Sequence, residues 1–352
     1  MYFRVVKIAL FCCGLVLSNP ANCQTTCSVT DSGNGKPIEN AEVFINGTTI
    51  GSFTDADGRV QLPKLEPSFY NLVIYKNGYS IFSSVLRIGA NKSYHLNLSL
   101  QKTLGKIHGK ANSTLVNTLK SSLLSDNSIV INPKSLIFRI TEKDTLVSSL
   151  EPVTIKNESL GYSLKLFVQN IQFRDLGRAP VKFDILESIS TNQSILREKE
   201  RLKVYQEYIR HFLCALVGNR LAGEGFKMVN EKEASVDTSV LISTSSPSGY
   251  YRVNFTNPVT VRFDIGNEHR SMKLSFYGPV EANARGILLN PKSLKEEGGA
   301  MISRISDRLP DDYKPIKGGI EDVFSETMRP SLRESLRSNR QALLSSRRSG
   351  LV

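Results

Sequence analysis

Hydrophobic and polar positions alternate in short runs between Cys27 and Gln101, and turn residues separate the runs. The dipeptides Asn46-Gly47, Asp57-Gly58 and Asn77-Gly78 supply the positive φ angles that tight hairpins need. With a first strand at Ser28–Thr30, the pattern predicts seven short strands over about 75 residues, as in a Greek-key β-sandwich. The other six predicted strands are Ala41–Asn46, Thr49–Thr54, Arg59–Leu62, Phe69–Tyr75, Ser80–Arg87 and Ser93–Leu100.

Residues 129–315 combine strand-like runs with one prominent helix. The helix is predicted to begin at Thr191 or Asn192 and to end at Gly218, and its apolar stripe comprises Leu202, Tyr205, Ile209, Phe212 and Leu216. We therefore expect a mainly β chain whose second domain is α+β, with one helix on antiparallel strands. The predicted strands are Leu136–Thr141, Leu164–Phe173, Val181–Leu186, Tyr250–Phe255, Val259–Ile265 and Met272–Tyr277.

Two polar segments flank this second domain. Residues 102–128 are rich in Ser, Asn and Lys with a weak spacing of leucines, which predicts a linker that includes a short helix. Residues 316–352 form a basic polar tail with six arginines. Two interpretations of the tail remain open, a solvated terminus and a basic amphipathic helix that makes peripheral membrane contact, and we favour the first.

The N-terminus has the order of a secretory signal peptide. Arg4 and Lys7 form a basic start, an apolar run follows to Leu17, and small residues lie near Cys23. The run is too short to span a bilayer, so we expect residues 1–23 to be removed and the mature chain to begin near Gln24. Lipidation of a cysteine is a competing interpretation.

Composition narrows the function classes only slightly. Hydrophobic residues make up 40% of the chain and charged residues 22%, which indicates globular domains and not wholesale disorder. The formal net charge is +12, but the basic residues are spread along the chain and no nucleic-acid-binding motif accompanies them. We therefore expect no nucleic acid among the partners.

The residues of the predicted sandwich carry a family resemblance. Val29–Asp31, Gly35–Ile45, Thr48–Gly58 and Gly78-Tyr79 occur in the order and spacing of the carboxypeptidase regulatory-like family. The resemblance implies a seven-stranded transthyretin-like Greek-key sandwich over residues 24–101 that is not itself catalytic. Members of this family are attached to zinc carboxypeptidases, outer-membrane receptors and exported bacterial proteins.

A second resemblance covers the remainder of the chain. Several motifs are similar to a segment that follows the sandwich in a group of exported Gram-negative bacterial proteins with no established activity. The resemblance implies an exported two-domain protein and carries no mechanism. Its motifs are Pro152–Asn157, Leu160–Tyr162, Arg201, Tyr205, His211–Leu213, Glu224–Phe226, Gly286–Leu288, Asn290-Pro291 and Asp307–Pro315.

No residue pattern predicts a catalytic, cofactor or metal site. The four histidines, His95, His108, His211 and His269, do not open the motifs that hold catalytic zinc. We expect Cys214 to be a buried small hydrophobe, and His211 to be buried or capping and not a partner of its thiol. Cys27 and Cys214, the cysteines of the mature chain, are expected to stay unpaired.

The sequence Asp55-Ala56-Asp57-Gly58 resembles the start of a calcium loop but lacks the later acidic ligands. We interpret it as a hairpin turn with Gly58 at positive φ and with both aspartates capping backbone N–H groups.

These patterns favour a non-catalytic extracytoplasmic binding or structural protein, in which the sandwich is a rigid module that presents the second domain at the cell envelope. Its location would be the periplasm, the outer membrane or the cell surface, and its partner an unknown protein or an envelope component. Two alternatives are an enzyme of another type within residues 129–315 and a component associated with an outer-membrane transporter. The best polar cluster for an enzyme is Arg201, Tyr205, Tyr208 and His211, although charged helix positions usually form a solvated face.

The signal peptide gives a first testable prediction. N-terminal sequencing of the exported protein should begin near Gln24, because the small residues before it suit a signal peptidase. Recovery of the protein from the cytoplasm with Met1 in place would contradict the prediction.

Overall fold

The structure is a computed structural model, and it confirms a mainly β fold with three α-helices. The strands of the described residues belong to six small sheets. We describe the chain as three modules, each with its own hydrophobic core. The described residues are 24–315 except 90–91, 104–108, 187–189, 207–208, 238–241, 246–248, 256, 266–267, 291–292 and 298–303.

The first module is the predicted seven-stranded sandwich. One sheet has the order β4-β1-β7 with β1 and β7 parallel, and the other has the antiparallel order β3-β2-β5-β6. Alternate residues of facing strands, such as Val29, Val43 and Ile74, are completely buried between the sheets. The strands are β1 (Thr25–Asp31), β2 (Glu42–Ile45), β3 (Gly51–Phe53), β4 (Arg59–Leu62), β5 (Ser68–Tyr75), β6 (Phe82–Ile88) and β7 (Tyr94–Leu100).

The turn before β4 has the predicted backbone. Gly58 has a φ angle of +71°, and a Cβ atom there would lie 2.5 Å from the backbone oxygen of Val29. Asp55 Oδ1 accepts hydrogen bonds from the N–H groups of Asp57 and Arg59, at 3.0 and 2.8 Å. The Asp55 side chain therefore caps the turn as expected. Asp57, which was also expected to cap it, contributes its backbone N–H as a donor.

The second module consists of two facing sheets covered by helices. The sheet orders are β13-β10-β9 and β14-β12-β11-β8, and all of their pairings are antiparallel. The elements are α1 (Ser113–Leu123), β8 (Ser128–Val130), β9 (Leu136–Ile140), β10 (Thr145–Ser149), β11 (Val153–Asn157), β12 (Tyr162–Leu166), β13 (Ile171–Gln172), β14 (Val181–Ile185) and α2 (Thr191–Gln206).

The segment 102–128 contains more than the expected polar linker. Helix α1 starts where the Asn112 side chain accepts a hydrogen bond from the N–H of Leu115, at 3.0 Å. Leu119 and Leu124 are buried in the core of the second module. This module therefore begins with α1, upstream of the expected boundary at residue 129.

The third module has the same general plan. Two antiparallel sheets, β15-β18-β19-β21 and β16-β17-β20, enclose a core to which α3 contributes Phe212, Leu213 and Leu216. Its elements are α3 (Ile209–Val217), β15 (Lys227–Val229), β16 (Ile242–Ser245), β17 (Tyr250–Val253), β18 (Val259–Ile265), β19 (Glu268–Phe276), β20 (Val280–Asn283) and β21 (Leu294–Glu297).

Three expectations for residues 129–315 need correction. The region contains two cores instead of one, because α2 packs on the second module and α3 on the third. Leu202, expected in the apolar stripe, is 37% exposed, since α2 turns arginines toward its neighbours. The predicted strand Leu164–Phe173 is divided into β12 and β13. The expected signal peptide, the tail, Tyr208 and His108 lie outside the described residues.

The first and second modules share a tight interface. Phe167 stacks on Phe44, with ring centroids 4.6 Å apart, in a small cluster of fully buried side chains. Glu42 and Lys182 form a buried ion pair at 3.0 Å, with side chains only 6% and 8% exposed. Such a pair adds little net stability, but it penalises any arrangement that separates the two charges.

Backbone hydrogen bonds extend this contact. The N–H of Gly47 donates to the oxygen of Val181 at 2.7 Å, and the N–H of Phe183 donates to the oxygen of Thr48 at 2.9 Å. The loop between β2 and β3 thus covers the free edge of β14. The sandwich is consequently fixed on its neighbour and is not an independent domain on a linker. No helix among the described residues is long and apolar enough to cross a bilayer.

Candidate functional site

The candidate site is the junction of the three modules, which is closed by a short segment near the end of the described chain. We call residues Pro310–Lys314 the clasp. The N–H of Asp311 donates to the backbone oxygen of Gly47 at 2.7 Å. The carboxylate of Asp312 accepts hydrogen bonds from the N–H of Thr49, at 2.9 Å, and from its hydroxyl group. These bonds attach the clasp to the β2–β3 loop of the first module.

The clasp also binds the second module. The Tyr313 hydroxyl donates to Glu198 Oε1 on α2 at 2.7 Å, and its ring lies edge-on to Tyr205 at a centroid distance of 6.1 Å. Tyr313 is buried in the core of that module together with Leu309. Burial and hydrogen bonding together raise the pKa of the Tyr313 hydroxyl far above its usual range, so it remains a donor at any physiological pH.

Arg210 attaches the clasp to the third module. This arginine is on α3 and is 8% exposed, and its guanidinium donates to three backbone oxygens. The acceptors are Pro310 and Tyr313 of the clasp, at 2.8 and 2.6 Å, and Arg285 in the loop after β20, at 3.1 Å. Its fixed fork of N–H donors therefore joins α3 to carbonyl groups of two other segments, of which the Pro310 oxygen also accepts from the N–H of Tyr313, at 2.9 Å.

The close approach of backbones requires glycine at this junction. Gly286 has a φ angle of +75°, and a Cβ atom there would lie 2.1 Å from the backbone oxygen of Arg210. Gly47 has a φ angle of +77°, and a Cβ atom there would lie 2.9 Å from the Asp311 carboxylate. Any side chain at Gly286 would push α3 away from its acceptors.

Helix α2 uses two more arginines in the same way. Arg197 donates to the backbone oxygen of Glu158 at 3.2 Å and pairs with its carboxylate at 3.1 Å. Arg201 donates to the backbone oxygen of Leu160 at 2.7 Å, and its guanidinium lies 4.4 Å from the ring centroid of Tyr162. The expectation that these charged positions form a solvated face is wrong, because the arginines face a turn of the second module.

The carboxyl group of Asp311 is the titratable group at the centre of the junction. Burial raises its pKa to about 6, although the guanidinium groups of Arg210, Arg308 and Arg285 oppose the rise. Ionisation of Asp311 above that pH leaves a poorly solvated charge between the modules. The folded state therefore favours the neutral carboxyl group of Asp311 over the carboxylate more than water does.

A second polar cluster lies beside the junction, at the C-terminal end of α3. Nε2 of His211 contacts Glu224 Oε2 at 2.6 Å, and Arg220 donates to Glu224 Oε1, also at 2.6 Å. Burial would raise the pKa of Glu224, but the hydrogen bonds from Arg220 and His211 hold it below its usual value. The His211 ring lies between Tyr205 and Phe226, at centroid distances of 4.9 and 4.8 Å.

Cys214 lies in the same cluster and is partly exposed, contrary to the expected buried position. Its Sγ accepts a hydrogen bond from Arg220 at 3.5 Å and donates to the backbone oxygen of Ala284 at 3.3 Å. His211 precedes it by three residues, so the two side chains share one side of α3. Nevertheless the thiol contacts Arg220, while His211 contacts Glu224.

This arrangement does not form a nucleophile and base pair. One ring nitrogen of His211 is engaged by Glu224, and within the described residues the other, Nδ1, is buried without a hydrogen-bond partner. A general base needs a ring nitrogen within reach of the proton that it removes. The His211 side chain is 14% exposed, and its ring packs between two aromatic rings.

The other expected residues are scattered. Cys27 and Cys214 are both free thiols, and burial raises the pKa of Cys27 to about 11. His95 and His269 lie on different modules, and each bonds a local partner, Thr26 and Asp264. No group of three or more His, Cys, Asp or Glu residues in the described part of the chain could hold a metal ion.

Sequence reasoning missed the clasp as a site, although it singled out Asp307–Pro315 as a motif. Its polar residues beside Pro310 and its lack of periodicity are typical of a solvated loop, so the pattern gave no sign of burial. Arg210 carried no such signal, since an arginine next to an apolar run is usually solvent-exposed.

The position of Asp311 predicts a pH dependence. Because its pKa is raised on folding, its contribution to stability is present at pH 4 and is lost as the pH rises through about 6. Asp311→Asn should therefore gain about 2 kcal/mol over wild type between pH 4 and pH 7.5, measured as the difference in free energy of unfolding by urea.

The matched control is Asp57→Asn in the exposed turn of the first module, the same substitution at a position away from the junction. A constant difference between Asp311→Asn and wild type across the range would show that Asp311 is not destabilised by ionisation.

Comparisons with known proteins identify the first module. Residues 26–101 match the family model of the carboxypeptidase regulatory-like domain. No curated protein sequence matches the chain. Among solved structures, a type II cohesin–X-dockerin complex from Acetivibrio cellulolyticus is 14% identical, with 30% of this chain and 76% of that chain covered, at a TM-score of 0.20.

A second solved structure, a DUF3823 family protein from Bacteroides ovatus, is 10% identical, with 74% of this chain and 99% of that chain covered, at a TM-score of 0.18. Neither similarity is high enough to support an argument about this chain. The family match agrees with the seven strands and their turns. The first module is a carboxypeptidase regulatory-like domain.

Proposed function

We propose that this protein is a non-catalytic extracytoplasmic binding or structural protein whose three modules act as one rigid body at the cell envelope. The observation that carries the proposal is the junction, where the clasp contacts all three modules and Arg210 links it to the third. A carboxypeptidase regulatory-like domain is a compact sandwich, and in this chain it is fixed on its neighbours through its loops and its outer sheet face.

The contacts between the first and third modules support the same proposal. Tyr250 on β17 lies edge-on to Phe69 at a centroid distance of 5.7 Å, and its hydroxyl is 3.5 Å from that of Ser68. Arg285, whose backbone oxygen binds Arg210, directs its guanidinium to the Tyr70 hydroxyl at 3.4 Å. Each module thus touches the other two, as a fixed arrangement of binding surfaces requires.

The alternative of an enzyme is less well supported by the chemistry of the cluster on α3. Cys214 is the accessible nucleophile there, but its hydrogen bonds go to Arg220 and to a backbone oxygen. Nothing in that geometry would remove a proton from a substrate.

The experiment uses the full chain with residues 1–23 in place, produced in a Gram-negative host. A membrane-impermeant amine-reactive cross-linker is applied to whole cells and to spheroplasts, and the protein is purified with its cross-linked partner. We expect recovery outside the cytoplasm and a defined cross-linked complex. Recovery of the wild type only from the cytoplasm would contradict the extracytoplasmic role.

Arg210→Ala then tests the need for a rigid body. It removes three charge-assisted hydrogen bonds to backbone oxygens, two of them buried, and should lower the free energy of unfolding by about 3 kcal/mol. We expect export of the variant with at least a tenfold lower yield of the complex per exported molecule. The matched control is Arg252→Ala, because Arg252 pairs with Glu281 at a side-chain exposure of 49% and should cost less than about 1 kcal/mol. Equal yields for all three proteins would contradict a role for the junction.

A further inference from the structure

Strand β6 is an open sheet edge with the features of a pairing surface. It is the terminal strand of the sheet β3-β2-β5-β6, and within the described residues no further strand pairs with it. Over its seven residues Arg87 is the sole charged residue, and no proline interrupts it. Edge strands that avoid pairing usually carry charges or proline, or are very short or covered.

Several other edges of this protein are protected, and the exposed side chains of β7, the other seven-residue edge strand, are the polar residues His95, Asn97 and Ser99. Strand β21 has the sequence Leu-Lys-Glu-Glu, and its lysine pairs with its last glutamate at 2.6 Å. The edge of β14 is covered by the backbone of Gly47 and Thr48 from the first module. Strands β3, β8 and β15 have three residues each. The seven-residue edge of β6 lacks all of these devices.

The side chains of β6 are self-complementary. In an antiparallel pair of two β6 strands centred on Val85, Ser83 of each strand would lie opposite Arg87 of the other, and Phe82 opposite Ile88. This register keeps Phe82, Leu86 and Ile88, which pack on the sandwich core, on the inner face of both strands. It places no like charges directly opposite each other and puts the two Val85 side chains together on the outer face.

The outer face beside β6 is accessible. Val85 is 67% exposed, and Ser83 and Arg87 are exposed on either side of it. Ser83 donates a hydrogen bond to Asn71 Oδ1 on the neighbouring strand at 2.7 Å, so the strand is held in an extended conformation ready for pairing. Val85 is thus an exposed apolar side chain at the centre of an open edge that carries one charged residue, Arg87.

We propose that two copies of this chain associate through antiparallel pairing of β6 around a two-fold axis at Val85. An isologous contact of this kind closes on itself and stops at a dimer. Because a single strand pair buries less surface than a permanent interface, the dimer should be weak and concentration-dependent. The proposal is independent of the function proposed above.

Sedimentation velocity of the full mature chain over a wide concentration range tests the proposal. The mass should rise from that of one chain toward twice that value as the concentration increases. Val85→Lys places two ammonium groups opposite each other and should keep the protein monomeric at all concentrations. The matched control is Ile140→Lys on β9, because Ile140 is also 67% exposed and should not affect the equilibrium.

Oxidative cross-linking provides a second readout, in a Cys214→Ser background so that the accessible thiol is absent. Val85→Cys should form a disulfide-linked species of twice the mass, and Ile140→Cys should not. A mass that stays at one chain throughout, or a dimer that survives Val85→Lys, would overturn the proposal. Cross-linking of both cysteine variants to the same extent would also overturn it, since it would show random collision.

Discussion

The structure depends on the pairing of buried arginine side chains with backbone carbonyl oxygens. Arg210 alone donates to three of them, which belong to two segments that are far apart in sequence. A buried carbonyl oxygen without a donor costs about 1 to 3 kcal/mol of stability. Separating these segments from the arginine is therefore energetically unfavourable. Arg197 and Arg201 apply the same chemistry on α2. The modules are therefore joined by polar bonds that have strict directions, in addition to apolar contacts.

Contacts between the modules allow each module to be small. Each core is modest, and the largest fully buried side chains include Phe44 and Phe167, which lie between modules and not within one. Small sandwiches have a high ratio of surface to volume, and docking against a neighbour buries surface that would otherwise be lost to solvent. The ion pairs of Glu42 with Lys182 and Lys165 add orientation, because separating the modules would leave the Glu42 carboxylate without either lysine.

The first module was predictable from sequence because its information is local. Asn46-Gly47 and Asp57-Gly58 place positive φ angles where hairpins need them, and the structure has φ angles of +77° and +71° at the two glycines. The junction could not be predicted in this way. Whether Arg210 is solvated or buried depends on Pro310 and Tyr313, which lie about a hundred residues away, and no periodicity reports such a contact.

Helices α2 and α3 lie within the predicted helical range, but the predicted burial of Leu202 was wrong for a related reason. Leu202 was assigned to a buried stripe by its hydrophobicity, whereas the buried side of α2 carries Arg197 and Arg201 because a turn with free carbonyl oxygens lies beneath it. Hydrophobic periodicity assumes an apolar neighbour. Where the neighbour is a backbone turn, arginine is the better contact.

The cluster around Cys214 illustrates how function must be judged from geometry and not from residue types. A cysteine, a histidine and a glutamate meet there, yet His211 is held between two aromatic rings with its Nε2 on Glu224. The same three residue types in another order of contacts would have suggested catalysis. Here His211 and Arg220 both bond the Glu224 carboxylate, next to the junction that the proposed function requires.

Native-state hydrogen exchange tests most directly whether the clasp holds the three modules in one body. The N–H groups of Asp311 and Gly47 donate across module boundaries, to Gly47 and to Val181. Both should exchange as slowly as core amides such as that of Val73, through global unfolding alone. Exchange of these two amides at the rate of an unstructured peptide, while the amide of Val73 stays protected, would contradict the account.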